Sequence, residues 1–88
     1  MTSYTLNMAG SGECDEFFAA QDGDAEREAL RMLADRGYPD AIPADHWDGD
    51  GKNDDGQPCE RLLFWANADD AENDPGAESI AQLEVVRA

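Results

Sequence analysis

The segment His46-Trp47-Asp48-Gly49-Asp50-Gly51-Lys52-Asn53-Asp54-Asp55-Gly56 sets four carboxylates among three glycines, the raw material of a calcium loop. Such loops offer side-chain oxygens at alternate positions, a glycine at the sixth and a bidentate Glu at the twelfth. Neither register fits. With Asp48 first and Asp50 third, Lys52 falls fifth, Asn53 takes the glycine position and Cys59 the twelfth. With Asp50 and Gly51 fifth and sixth, Asp48 is third and Asp54 ninth, but His46 is first and Gln57 twelfth. The segment therefore reads as a solvated acidic turn, with weak calcium ligation by Asp48, Asp50 and Asp54 as an alternative.

Catalysis finds less support. A carboxylate pair working as acid and base needs one carboxyl in an apolar pocket to raise its pKa, whereas these acids lie in polar stretches. His46 is the sole histidine and has no nucleophile beside it. Cys14 and Cys59 lack the paired spacing of a transition-metal site. The expectation is a protein without catalytic residues, cofactor or metal.

The elements that must carry these residues are few. A chain of 88 residues is expected to form one domain, 1–88, with a small core, since folding at this size hides only about 60 to 65% of the chain's surface. Tyr4-Thr5-Leu6-Asn7-Met8 alternates apolar and polar residues and ends in a glycine-rich turn, which predicts a strand. Glu13 to Ala20, with Phe17 and Phe18, returns beside it. From Asp22 to Arg36, Ala25, Ala29, Met32 and Leu33 fall on one helical stripe with Leu30 on its flank. Asp22 or Asp24 is read as the cap, and Gly37 as the stop.

Gly37 to Pro58, rich in Pro, Gly and Asp, reads as a long loop, a rarity that points to function. Glu60 to Asn67, with Leu62-Leu63-Phe64-Trp65, reads as a strand covered on both faces, Ala68 to Glu78 as a second acidic loop and Ser79 to Arg87 as a last strand. The predicted fold is α+β, in the order β-β-α-β-β. It is a small four-stranded antiparallel sheet with one amphipathic helix on one face and long acidic loops. One helix leaves the other face open, so Phe17 or Phe18 and part of the 62–65 cluster should meet solvent or a second copy.

Charge dominates what remains: 21 acids against six Lys or Arg give a net charge of −15. Direct binding of nucleic acid or of anionic membranes is excluded, because both require cations to neutralise phosphates. No apolar run reaches membrane-spanning length and the start lacks a signal-peptide pattern, so a cytoplasmic location is expected. The two cysteines are expected to be free thiols. Asp45, Asp48, Asp50, Asp54 and Asp55 from the first loop and Asp69, Asp70, Glu72 and Asp74 from the second are the expected contacts for a basic protein. Trp47 is either their apolar anchor or a lid over the sheet.

Carboxylates at this density can occupy a Lys- and Arg-lined channel built for nucleic acid. In its size, acidity and β-β-α-β-β order the chain resembles small phage-encoded inhibitors of bacterial defence, especially anti-CRISPR proteins. The resemblance spans the whole chain but rests on composition and architecture, with no motif that transfers a residue role. It implies an inhibitor acting without catalysis in the infected bacterium, with a CRISPR effector complex, of multisubunit type I, as its partner. The rival expectation is a halophile-type acidic domain, since 13 Asp accompany a single Lys. Clustering of the acids in two loops argues against it.

Overall fold

A computed structural model describes residues 1–52, 55–72 and 78–86. The chain runs β1 (Thr2–Met8), β2 (Cys14–Ala19), α1 (Asp22–Asp35), β3 (Ile42–Pro43), β4 (Asp48–Lys52), β5 (Pro58–Trp65), α2 (Ala68–Glu72) and β6 (Ala81–Val86). The α+β class holds, but the sheet has six strands rather than four and a second, short helix is present. All strand pairs are antiparallel, in the order β2-β1-β6-β5-β3, and β4 also pairs with β5.

The two additional strands lie inside the segment read as a loop. Ile42 and Pro43 pair with Trp65 and Phe64, and Asp48 to Lys52 pair with Arg61 to Pro58 across a bulge. Together they form one interrupted edge strand along β5. Pro43 and the glycines of Asp48-Gly49-Asp50-Gly51-Lys52 hide this from propensity, yet an edge is where proline and glycine are tolerated in a sheet. Within the second acidic stretch, Asn67 accepts the Asp70 backbone N–H at its Oδ1, 2.8 Å away, and so starts α2.

Alternation along each strand sends one set of side chains to a common face. Tyr4, Leu6, Leu62, Phe64, Ala81, Leu83 and Val85 gather there beneath Ala25, Ala29 and Leu33 of α1, all essentially solvent-free. Burying Phe64 or Leu62 contributes about 1.5 to 3 kcal/mol each by area. The opposite face stays open: Leu63 is 38% exposed and Phe18 62%, so the 62–65 run is covered on one side only, because α1 lies on a single face.

Asp22 begins α1 instead of capping it. Gln21 is the cap residue and makes no side-chain cap bond, while the Asp22 carboxylate accepts the Tyr4 hydroxyl at 2.7 Å. The other end follows expectation: Gly37 adopts φ 97°, its N–H reaches the Ala34 carbonyl and that of Tyr38 reaches Leu33. This crossed pair of bonds closes the helix in a Schellman turn, which needs a left-handed residue at that position. Cys14 and Cys59 are free thiols three strands apart, and the register sets Cys14 level with Leu63, four residues along β5 from Cys59. No helix among the described residues is long and apolar enough to cross a membrane.

Candidate acidic interface

The interrupted strand brings the two acidic stretches to one side of the sheet. Because β3 and β4 both lie along β5, Asp45 and Asp48 follow one another down its outer side, with Asp50 within β4. Asp55 sits in the turn back into β5. β5 leads directly into α2, which carries Asp69, Asp70 and Glu72 beside the β3 end of the same edge. Asp45, Asp48, Asp55 and Asp69 are exposed and Asp70 is half-buried. Asp54 and Asp74 lie outside the described residues.

Between β3, its connection to β4, Trp65 and α2 runs an open cleft of about 260 Å³. Ile42 and Trp65, paired across the ladder, form part of its wall, and Asp45 and His46 line it from the connection. The backbone N–H of Ala44, bonded to the Leu63 carbonyl at 2.8 Å, holds that connection against β5. The cleft was not visible in the sequence, since Trp65 reads there as core or sheet surface and Ile42 as loop. Its signal is the two-residue Ile-Pro strand, too short to register as a periodicity.

Trp47 is half-buried and folds back onto the core, its ring 6.3 Å from that of Tyr4 at 52°. It packs over the core cluster like a lid. Its neighbours in the chain, His46 and Asp48, are exposed.

Cations on this side are few. Between residues 40 and 55 Lys52 alone offsets six aspartates, and the stretch from 68 to 78 has no cation. Arg61 is engaged within the sheet, its Nε 3.2 Å from Glu84 Oε2 and a terminal nitrogen 3.1 Å from the Lys52 carbonyl. On the far side, arginines meet acids in pairs. Arg27 bonds Asp24, Arg31 bonds Glu28 and approaches Asp35 at 3.5 Å, and Arg36 bonds both Glu13 and Asp15. The hydrogen bond from Arg31 holds the Glu28 carboxyl below its ordinary range, outweighing the opposing cost of burial, and the guanidinium charge adds a lesser pull in the same direction.

The described residues contain no group of three or more His, Cys, Asp or Glu side chains placed to hold a metal ion. Asp48 and Asp50 belong to β4, and Asp54, the third residue of the calcium reading, lies outside the described residues. His46, at the β3–β4 connection, and Cys14, on β2, occupy opposite edges of the sheet. What the surface offers chemically is an array of carboxylates around a cleft with an aromatic wall. No protein family, curated protein or solved structure matches this chain.

Proposed function

We propose that the protein is a non-enzymatic inhibitor that lays the β3–β4–α2 edge into a basic, nucleic-acid-binding surface of a bacterial defence complex. The observation that carries this reading is the convergence of both acidic stretches on one sheet edge, Asp45, Asp48, Asp50 and Asp55 with Asp69, Asp70 and Glu72, where Lys52 is the sole cation of residues 40–55. Desolvating a basic channel requires opposite charge at comparable density, and a rigid strand pair delivers it with less ordering entropy than a loop. The CRISPR effector as target class comes from the resemblance in size, acidity and architecture. Steering by a net charge of −15 would speed encounter and make it salt-sensitive.

The test is capture of a purified type I CRISPR effector complex by the full chain, with and without target DNA and at rising salt. Capture lost on adding DNA or salt supports the reading. The quadruple variant Asp45→Lys, Asp48→Lys, Asp55→Lys, Asp69→Lys should lose capture while keeping its fold by circular dichroism; unchanged affinity would dismiss this edge as the contact.

A second reading, adaptation of the surface to salt, is favoured by one observation. Exposed or half-buried acids also cover α1 and β2, at Glu13, Glu16, Asp24, Glu26, Glu28 and Asp35. It requires poor folding in dilute buffer and cooperative folding in molar KCl. A sharp thermal transition in dilute buffer would remove it.

A further inference from the structure

We propose that the cleft between β3 and α2 is a seat for one arginine side chain of the partner. This rests on the proposed function, whose basic partner supplies the arginine. The cleft joins three features that a guanidinium uses together. Trp65 offers an indole, the strongest aromatic partner for a cation; Asp45 offers a carboxylate for paired hydrogen bonds; Ile42 and Pro43 offer apolar surface to the methylene stem.

Size and charge narrow the occupant further. A volume of about 260 Å³ lies below the roughly 300 to 1,000 Å³ of pockets that enclose whole small-molecule ligands, and suits a single long side chain. No Lys or Arg lines it, and Ala71 sets its far wall beside Asp69 and Asp70 of α2. An anionic occupant is therefore repelled and an apolar one leaves Asp45 to be desolvated without compensation. A lysine answers the charge but not the flat indole and the two carboxylate oxygens at once. The Ile42–Trp65 wall and the connection that carries Asp45 rest on backbone that the ladder fixes, through the Ile42–Trp65 pair and the Ala44 N–H to Leu63 carbonyl bond.

The test is a titration of the full ¹⁵N-labelled chain at low salt with acetyl-Gly-Arg-Gly-amide. The indole N–H signals of Trp65 and Trp47 are told apart by Trp47→Phe. The Trp65 signal should move saturably with the arginine peptide, about fivefold more weakly with the lysine peptide and not at all with the uncharged citrulline peptide. Asp45→Asn, at an exposed site that leaves the fold alone, should weaken the response about fivefold. Equal responses to lysine and arginine, a response to citrulline, no saturable shift, or an unaltered Asp45→Asn would each overturn the proposal. Failure here is separable from failure of the function. An effector captured normally by Asp45→Asn and Trp65→Leu removes the arginine seat alone, whereas an arginine-binding cleft in a chain that captures no effector removes the inhibitor reading alone.

Discussion

Along α1 and β2, acids are met by arginines that tie elements together: Arg36, at the end of the helix, reaches back to Glu13 and Asp15 at the start of β2, and Arg27 and Arg31 brace the helix along its own length. Along β3, β4 and α2 the chain supplies almost no cations, and β3 and β4 are seated on β5 by backbone pairing. The same residue type thus does two jobs. On one side carboxylates join arginines in ion pairs between and along elements; on the other they crowd along one edge where cations are scarce, and their mutual repulsion weighs on the stability of the whole domain.

The largest perturbation should therefore be one that removes the shared support. Phe64→Ala empties a solvent-free site on β5 beneath the interrupted edge strand and should cost about 3 to 5 kcal/mol, read as a lower midpoint in urea with both sides lost together. An edge that melted first, in a separate transition, would show that the two sides do not share one core. Arg36→Ala comes next. It should lower Tm modestly in dilute buffer by releasing β2 from the helix end, and the loss should shrink in molar salt; a salt-independent loss would mean that the side chain acts through its stem.

Glu28→Gln should have the smallest effect. The Glu28 carboxyl titrates below its ordinary value of 4.5 in the folded chain, so the stabilisation it provides is complete above that value and fades as the pH falls through the lowered one. The difference in Tm between parent and variant should accordingly close in acid. Both ends of this pair are substantially exposed, which keeps the effect small at any pH.

The sequence exposed the five main elements because each carries a periodicity its neighbours enforce. Leu62 and Phe64 alternate with Leu63, Ala25, Ala29 and Leu33 recur at helical spacing, and Gly37 sits where only a left-handed residue closes the turn. It hid β3 and β4 because an edge strand is held by the backbone of its partner, to which Asp48-Gly49-Asp50-Gly51-Lys52 contributes amides rather than apolar side chains. The acidic residues of the interface were legible as residues. That both stretches flank the 60–67 strand was legible too, but the interrupted edge strand that seats the first of them along β5 was not. Trp47 was legible only as two alternatives, an apolar anchor or a lid over the sheet, and its ring packs beside Tyr4.

The break between β3 and β4 carries a further consequence. A long regular edge invites another chain to add a strand to it, the first step of domain swapping and of amyloid growth. Here Pro43 has no N–H to give, the bulge after Asp48 throws an incoming ladder out of register, and the aspartates repel a second copy. A molecule that crowds its chemistry onto a sheet edge has thereby made that edge a poor template for its own aggregation.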